Sequence, residues 1–417
     1  MLRTMMPELG VRQSGADSSA ARTVNRPVRL ALAGGGTGGH IVPGLHLLSA
    51  IGEGERPVDV VWFTSGRAVE ERVLGAAREL LTRTPFERVA LALEPVGGGA
   101  PSRSRLVVRT PSAVMTARKK LLAHRSDVLV GLGGFTSLPA VLAARSLRIP
   151  IVLLEVNAHA GAATKWLSRF ATRVVHAWPA TLPPGVPVSR DVDTTRNGNS
   201  VHRFVGPPLA TSYARHAVLP ETQREVQGRA ARTALGFDPA RPLFVVLGGS
   251  QGSTALNRFV HDHVTAFNAA GLSVLHQTGP KKLSEAASAR TGYCAVEYVD
   301  DVFQALSGAT VVLARGGAST LAEIGAMRVP CFVAPYPGHA DMHQTKNAEQ
   351  LGIGARIVPD SQLNARARDE ILALALEGGV EDRARMQRAL ADAVPTDAAS
   401  RMWREITHSI RDTRESR

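Results

Sequence analysis

The chain has 417 residues and a formal net charge of +13, from 49 lysines and arginines against 36 aspartates and glutamates. Its length predicts two or three domains, its hydrophobic fraction of 44% is that of a globular protein, and no apolar run approaches the roughly 20 residues that span a membrane. Two cysteines exclude a disulfide framework, and an aromatic fraction of 5% without a recognisable motif argues against nucleic acid as a partner.

Residues 1–26 begin the chain with a polar segment that is rich in alanine and serine. This segment lacks the apolar core of roughly 7–15 residues that a signal peptide needs. We therefore expect a disordered leader on a cytoplasmic protein, followed by an N-terminal domain over residues 27–206.

The N-terminal half alternates apolar runs with helical patterns. Strands are predicted at Val28–Ala33, Val58–Thr64, Val89–Leu93, Val128–Leu132, Ile151–Glu155 and Val174–His176. Helices are predicted at Ile41–Ile51, Val69–Ala77, Ser112–His124 and Ser137–Leu147. This spacing is typical of βαβ units around a parallel sheet. The segments Glu94–Ser104 and Pro183–Arg203 are rich in turn-forming or polar residues and are predicted to be surface loops.

A loop with five glycines in six residues, 34–39, joins the first strand to the first helix and ends at His40. Backbone N–H groups at such a turn can bind a phosphate. The loop also fits the dinucleotide pattern, but the second strand ends in Thr64-Ser65-Gly66-Arg67, without the acidic residue that would bind a ribose. A histidine at the helix start instead indicates a group-transfer site.

Two further segments of this half follow strands and are candidates for the same cleft. Glycines precede a helix at Gly133-Gly134-Phe135-Thr136-Ser137, which predicts a second anion site. Glu155 and Asn157 lie at a strand end, where cleft residues belong, although Glu155 is equally interpreted as a solvated loop carboxylate.

After Gly206-Pro207-Pro208 the same arrangement begins again, which predicts a second doubly wound domain over 207–392. Its strands are predicted at Pro242–Leu247, Leu272–Gln277, Ala295–Tyr298, Thr310–Leu313, Cys331–Ala334 and Ala355–Ile357. Residues 393–417 include a basic amphipathic helix, 398–410. This helix could pack on either domain, and in one of these two arrangements it returns to the N-terminal domain. Ligands of two such domains bind between the carboxyl ends of their sheets.

The second half has three candidate ligand segments. Ser250 and Gln251 lie in a glycine loop that could hold a diphosphate. Ser319 and Thr320 begin a helix, and Glu323 follows, either to accept from ribose hydroxyls or to close a capping box. His339, Asp341 and His343 do not have the spacing of a zinc site, so Gln344 and its neighbours are predicted to bind a sugar instead.

Taken in order, these segments resemble those of the MurG family, and the resemblance covers 28–397. The matching motifs are Gly35-Gly36-Thr37-Gly38-Gly39-His40 with Pro43-Gly44, Gly133-Gly134-Phe135 with Ser137 and Pro139, Glu155 with Asn157, Gly248-Gly249-Ser250-Gln251-Gly252, Arg315 with Gly317, Ala318, Thr320 and Glu323, and His343-Gln344 with Asn347 and Ala348. The resemblance implies an α/β GT-B fold, in which two Rossmann-like doubly wound domains face each other across a cleft.

The resemblance further implies transfer of N-acetylglucosamine (GlcNAc) from UDP-GlcNAc to lipid I, which forms lipid II for peptidoglycan, without a metal or another cofactor. It implies donor contacts from Thr37, Gly38, Gly39, Asn157, Ser250, Gln251, Gly252, Val299, Ala318, Ser319, Thr320, Glu323 and Gln344. Ser250 would contact the diphosphate, Val299 the uracil through its backbone, Glu323 the ribose, and Gln344 the GlcNAc hydroxyls. Gly134, Phe135, Thr136 and Ser137 would lie on the acceptor side.

A base must remove the proton of the attacking hydroxyl, and we expect His40 first and Glu155 second in this role. One departure keeps alternatives open: where the family has Gly-Asn-Pro-x-Arg, this chain has Gly206-Pro207-Pro208-Leu209-Ala210. The alternatives are another GT-B glycolipid or natural-product glycosyltransferase, a UDP-sugar 2-epimerase, and a UDP-sugar-binding protein with weak transfer.

The segment 103–125 interleaves seven basic residues with apolar ones. This pattern fits a face that lies on an anionic membrane, and equally an ordinary amphipathic helix with a solvated basic side. With the resemblance, it predicts a peripheral enzyme on the cytoplasmic face of the inner membrane.

Overall fold

The structure is a computed structural model that describes residues 26–36, 38–52, 57–76, 84–91, 93, 103–134, 136–188, 195–197, 200–282, 291–338 and 341–415. The strands are β1 Val28–Ala33, β2 Val58–Thr64, β3 Phe86–Ala90, β4 Val128–Gly131, β5 Ile151–Glu155, β6 Arg173–His176, β7 Thr195–Asn197, β8 Ser200–Phe204, β9 Leu243–Leu247, β10 Ser273–Gln277, β11 Tyr293–Val296, β12 Val311–Ala314, β13 Cys331–Val333 and β14 Ala355–Ile357.

The helices are α1 Gly38–Gly52, α2 Ala68–Ala76, α3 Arg103–His124, α4 Ser137–Ser146, α5 Ala162–Leu167, α6 Thr211–Ala217, α7 Glu221–Ala234, α8 Thr254–Ala269, α9 Val302–Gly308, α10 Ala318–Ala326, α11 His343–Glu349, α12 Ala365–Ala375, α13 Val380–Ala393 and α14 Ala398–Glu415. None of these helices has the combination of length and apolarity needed to cross a bilayer, within the part of the chain that is described.

Two separate sheets confirm the predicted α/β class. The described strands of the first sheet have the order β3-β2-β1-β4-β5-β6-β8-β7, and those of the second have the order β11-β10-β9-β12-β13-β14. All neighbours are parallel except β7 and β8. In both sheets the order reverses beside the first strand of the domain, β1 or β9. Such a switch point opens a crevice at the carboxyl ends of the strands.

The central strands are apolar throughout because helices cover both faces of each sheet. Along β1, Leu30 and Leu32 pack in one hydrophobic cluster, and Ala31 and Ala33 pack in another on the opposite face. The strand β9 alternates in the same way between its two clusters. Continuous apolar runs were therefore the correct signal for buried parallel strands.

The predicted surface loop Pro183–Arg203 is wrong in its second half. Residues 195–197 and 200–204 form β7 and β8, and β8 pairs in parallel with β6. The content of Pro, Arg, Asp and Asn indicated a loop, but Ser200 and His202 of this segment are buried. The Ser200 hydroxyl lies 2.6 and 2.8 Å from the Ser168 and Ala171 carbonyl oxygens, to which it can donate, and His202 contacts His176. Tertiary partners thus stabilise a strand that local composition does not indicate.

The helix α3 begins at Arg103, nine residues before the predicted start at Ser112, and passes through Pro111. Of the other predicted loop, Glu94–Ser104, residues 94–102 lie outside the described part of the chain. The last helix, α14, packs on the N-terminal sheet, where Met402, Ile406 and Ile410 join the same cluster as Leu30.

Candidate active site

The loop after β1 is shaped by close packing. Gly36 has a φ of +86°, which favours glycine, and a Cβ on Gly35 would lie only 2.4 Å from Oε1 of Glu70. The next residue, Thr37, lies outside the described residues, and Gly38 and Gly39 form the first turn of α1. Gly35 and Gly36 are therefore required by the conformation and packing of the loop itself, in addition to any contact with a ligand.

His40 follows this loop, and its ring lies against the second glycine loop. Its Nδ1 is 3.2 Å from the Gly35 carbonyl oxygen. Gly133 and Gly134 have φ values of +96° and +75°, and a Cβ on either would approach the His40 ring to 3.1 and 3.0 Å. The second glycine loop therefore leaves room for this imidazole.

Burial lowers the pKa of His40 from 6.5, while the Gly35 carbonyl and the negative charge of Glu155 act in the opposite direction. Because a carbonyl oxygen only accepts, the ring proton of the neutral form belongs on Nδ1. The lone pair of that tautomer is on Nε2, which suits a base.

The residues predicted for the acceptor side are largely buried. The Ser137 hydroxyl lies 2.8 Å from both the Ala33 and the Gly133 carbonyl oxygens, to which it can donate, and Thr136 is also buried. Gly134 contacts His40, and Phe135 lies outside the described residues. Ser137 thus links β1 to the second glycine loop.

Glu155 is 3% exposed, so its interpretation as a solvated loop carboxylate is wrong. Its two oxygens accept from the backbone N–H groups of Asn157 and Gly161, each at 3.0 Å. The carboxylate therefore folds the loop after β5 and is committed to these contacts. That loop carries Asn157 to the opposite domain.

Asn347 of α11 joins the two domains from the C-terminal side. Its side chain is fully buried, accepts from the Ala158 N–H at 2.7 Å, and donates to Asn157 Oδ1 at 3.2 Å. It also donates to the Gly316 carbonyl at 3.0 Å. One amide therefore holds the loop of Glu155 against the loop that precedes α10.

The glycine loop after β9 packs tightly on the strand end of β10. Gly252 has a φ of +64°, and a Cβ there would lie 2.0 Å from the Thr278 carbonyl oxygen. Ser253 caps α8 by accepting from the Leu256 N–H. Ser250 is half-buried and Gln251 is exposed, so both remain at the surface of the loop.

Gln277 was not predicted as a site residue, although it orders two predicted ones. Its amide donates to the Gly249 carbonyl at 2.8 Å and accepts from the Val299 N–H at 3.2 Å. The Val299 N–H is thus engaged, and a base contact through that backbone would use the carbonyl. A lone glutamine at a strand end carries no signal that would have identified this role.

The helix α10 has Gly317 as its N-cap residue and contains Ala318, Ser319 and Thr320 in its first turn. The capping-box interpretation of Glu323 is wrong, because the third residue after the cap is Thr320. Ser319 Oγ is buried and has no hydrogen-bond partner within the described part of the chain. A buried hydroxyl without a partner is costly, which marks this helix end as a ligand candidate.

Glu323 is 7% exposed and lies between the domains. It accepts from the Tyr213 hydroxyl at 3.2 Å, and its Oε1 is 3.4 Å from Nε2 of His46 on α1. Burial and the negative charge of Glu323 raise the pKa of Tyr213 well above its usual value, so the phenol keeps its proton. Nδ1 of His46 in turn lies 3.1 Å from the Pro208 carbonyl.

Arg315 and Gln344 order the loops beside α10. Arg315 forms a bidentate pair with Asp360 at 2.5 and 3.0 Å and donates to Ser253 Oγ at 2.6 Å. Gln344 accepts from the Gly316 and Tyr336 N–H groups at 3.1 and 2.9 Å through Oε1, so a sugar contact would use its NH₂ group. The arginine of the motif therefore supports the site rather than facing the cleft.

The predicted residues that the structure describes lie on loops and helix starts that follow strands of both sheets. The first glycine loop, His40 and the Glu155 loop come from the N-terminal sheet, and the Ser250 loop, α10 and α11 come from the C-terminal sheet. His343 of the rejected zinc set contacts Asp341 at 2.8 Å, and His339 lies outside the described residues.

Comparison with known proteins gives consistent matches over both domains. The model of the glycosyltransferase family 28 N-terminal domain matches residues 30–176, and that of the C-terminal domain matches 243–395. The chain is 36% identical over 373 residues to the UDP-N-acetylglucosamine--N-acetylmuramyl-(pentapeptide) pyrophosphoryl-undecaprenol N-acetylglucosamine transferase of Paenarthrobacter aurescens, covering 87% of this chain and 90% of the relative.

The enzyme of the same name from Saccharopolyspora erythraea is 34% identical over 371 residues, covering 87% and 89% of the two chains. Among solved structures, Acinetobacter baumannii MurG superposes with a TM-score of 0.63 at 22% identity, covering 92% of this chain and all of that one. The two sheets with their facing carboxyl ends therefore form a GT-B fold.

Proposed function

The chain belongs to the MurG family of glycosyltransferases, and we propose that it transfers GlcNAc from UDP-GlcNAc to the MurNAc 4-hydroxyl of lipid I, which forms lipid II. Both domains of the chain match family 28, and a relative named for this reaction is 36% identical over 87% of this chain. The observation that carries the proposal is that these matches include both faces of the cleft.

We assign the donor to the C-terminal face. Ser250, Gln251 and Gly252 would contact the diphosphate, together with Ser319 and Thr320 at the start of α10. The orphan hydroxyl of Ser319 supports this placement, as do the N–H groups at the starts of α8 and α10, which stabilise negative charge.

The remainder of the donor would contact neighbouring side chains. Glu323 would accept from the ribose hydroxyls after exchanging its present contact with His46, and Val299 would meet the uracil through its carbonyl. The NH₂ group of Gln344 and the side chain of Asn157 would contact GlcNAc. Thr37, Gly38, Gly39 and Ala318 would close the site around the sugar.

We propose that His40 is the general base. Its lowered pKa keeps the imidazole neutral near pH 7, so Nε2 can take the proton of the 4-hydroxyl as that oxygen attacks the anomeric carbon. The glycosidic bond to UDP breaks on the opposite side, with inversion. Glu155, with both oxygens accepting from backbone N–H groups, is the weaker candidate for the base.

The leaving UDP gains negative charge as the bond breaks. Helix N-termini and glycine-loop N–H groups aimed at that charge stabilise it without reorganising during the reaction. The loop at Gly134–Ser137 would approach the diphosphate or the sugar of the lipid acceptor from the N-terminal side.

The acceptor is carried by a lipid, and we propose that α3 lies on the anionic cytoplasmic face of the membrane. Met115 and Leu122 of this helix are 65% and 54% exposed, and the same helix also exposes Arg109 and Lys119. Leu121, on the other side of the helix, is buried in the core. Exposed apolar and basic side chains together are typical of a peripheral membrane face.

Release of UDP from UDP-GlcNAc, with and without a soluble lipid I analogue, tests the proposed reaction. We expect release that depends on the acceptor and a new disaccharide product. Release without acceptor, with a free epimerised sugar, would identify an epimerase. Binding of UDP-GlcNAc without release of UDP in the presence of this acceptor would contradict the proposal. Other acceptors would then be tested, because Pro207 and Ala210 depart from the family motif.

A further inference from the structure

Glu70 of α2 lies directly beneath the first glycine loop, and its side chain is completely buried. Its Oε1 accepts from the Gly36 N–H at 2.6 Å, the Ser65 N–H at 2.9 Å and the Ser65 hydroxyl at 2.6 Å. No motif indicated this residue, because an acidic side chain in the first turn of a helix is ordinary.

The second oxygen of Glu70 has an equally complete set of donors. Oε2 accepts from the Gly66 and Arg67 N–H groups at 2.7 and 3.1 Å, and from Nη2 of Arg88 at 3.1 Å. Burial on its own would raise the pKa of Glu70, but the hydrogen bonds from Ser65, Gly36 and Gly66 outweigh it and lower the pKa. The group is therefore an ionised carboxylate with six donors.

These contacts connect Glu70 to His40 through one short loop. Glu70 holds the N–H of Gly36, and the preceding residue, Gly35, offers its carbonyl to Nδ1 of His40. Gly35 also has no room for a Cβ against the carboxylate. A displacement of the Glu70 carboxylate would therefore move the carbonyl that orients the imidazole.

We propose that Glu70 is a positioning residue for the transfer reaction, which holds the first glycine loop so that the Gly35 carbonyl keeps the His40 proton on Nδ1. The inference rests on the proposed function and assigns a role that the donor and acceptor contacts do not include. Glu70 acts through His40 and touches no substrate.

The test is Glu70→Gln, with Glu71→Gln as the matched control. In the glutamine variant, an NH₂ group replaces one of the two carboxylate oxygens. Each of these oxygens accepts from three donors, so the NH₂ group would face three donors with no acceptor to offer. Glu71 is the next residue of the same helix, its side chain is 69% exposed, and it contacts the same Arg88 at 3.4 Å. A loss of charge beside Arg88 is thus common to both variants, and only the loop contacts differ.

Turnover is normalised to the number of UDP-binding sites, which are counted by calorimetric titration with UDP. We expect kcat of E70Q to fall at least about tenfold, because small misplacements of a catalytic group are costly, with the KM for UDP-GlcNAc nearly unchanged. The Gly35 contact raises the pKa of His40, so its loss should move the acid limb of kcat/KM to lower pH. E71Q should behave as the wild type.

A readout independent of activity separates this inference from the proposed function. Two-bond ¹H–¹⁵N imidazole spectra, with His40 assigned by the signal missing in H40Q, should show the Nδ1–H tautomer in the wild type and its loss in E70Q. If the wild-type protein shows the Nδ1–H tautomer but transfers no GlcNAc, the proposed function is overturned and the role of Glu70 in orienting His40 is not. If E70Q keeps both the tautomer and the wild-type turnover, Glu70 has no positioning role.

Ser65→Ala provides a second variant if E70Q does not fold. It removes one donor to Glu70 and leaves the carboxylate in place, so we expect the same changes at a smaller size, about two- to threefold in kcat. Unchanged turnover and an unchanged His40 tautomer in this variant would equally contradict the proposal.

Discussion

Glu70, Glu155 and Glu323 are all buried, but their carboxylates contact different parts of the fold. Glu70 binds the glycine loop, Glu155 closes its own loop, and Glu323 meets Tyr213 and His46 from two other helices. The motifs identified two of these residues as site candidates. They could not supply the distant partners of Glu70 and Glu323, because the Gly36 N–H is 34 residues from Glu70 and Tyr213 is 110 residues from Glu323, and only the fold brings these groups together.

The activity of the enzyme should depend on pH through His40. Burial lowers the pKa of this histidine below 6.5, and a base works in its deprotonated form, so the acid limb of kcat/KM should lie below pH 6.5. His40→Ala should lower kcat by about 10²–10⁴-fold and abolish that limb. The measurement is the pH profile of acceptor-dependent UDP release.

The exposed His261 of α8 is a suitable control, since its side chain is 77% exposed and contacts only Asp262 in the interactions described. His261→Ala should leave the profile unchanged. Wild-type turnover in His40→Ala, or an acid limb that persists there, would remove His40 from the mechanism.

The strands and glycine loops were largely predictable because both have strong local causes. The limits of β1, β2, β5 and β14 agree with the predicted ones. The strand β8 could not be found, since its polar residues are satisfied only by partners in the α5 region and on β6. The predicted start of α3 at Ser112 is wrong, because the helix begins at Arg103 and continues through Pro111.

The last helix, α14, is tied to the N-terminal sheet by a buried arginine. Arg173 of β6 is 5% exposed and donates to Glu405 and Asp412 of α14, each at 2.6 Å. Replacing Arg173 with leucine leaves the half-buried Glu405 without this close partner, with the Arg203 guanidinium at 3.6 Å. We therefore expect Arg173→Leu to lower the free energy of unfolding by about 3–5 kcal/mol, as measured by urea denaturation.

Arg414→Gln is the matched control for this prediction. Arg414 contacts Asp127 at 3.1 Å from the same helix, but its side chain is 54% exposed, and an exposed pair contributes less than about 1 kcal/mol. Equal effects of the two variants would mean that α14 is held by its apolar face alone, through Met402, Ile406 and Ile410.

The two domains are joined by chain crossings and by polar contacts across the cleft. Gly206, with a φ of +90°, lies so close to Pro395 that a Cβ would approach it to 2.3 Å, so the two crossings pack on each other. Across the cleft, Asn157 meets Asn347, and His46 meets Glu323. Repeated strand–loop–helix order predicted two facing sheets, but the relative position of the domains depends on these side-chain pairs, which no local pattern encodes.

The cleft arrangement should therefore be sensitive to Asn347. In Asn347→Asp, the carboxylate can still accept from the Ala158 N–H, but it cannot donate to Asn157 Oδ1 or to the Gly316 carbonyl, and it faces two acceptors. A buried charge that has one donor and faces two acceptors is unfavourable, so the domains should separate. We expect a larger radius of gyration in small-angle X-ray scattering and a lower kcat/KM for transfer.

Asn268→Asp introduces the same chemical change within the C-terminal domain, away from the cleft, where the Asn268 amide donates to the Thr291 carbonyl. Its radius of gyration should match that of the wild type.

Saturating UDP-GlcNAc should partly restore the compact form of N347D, because a donor that contacts both Asn157 and Gln344 binds the closed arrangement more tightly. If N347D scatters as the wild type does and keeps its kcat/KM, the Asn157–Asn347 contact does not control closure, and the packing of Leu209 and Tyr213 with Trp178 must hold the domains together.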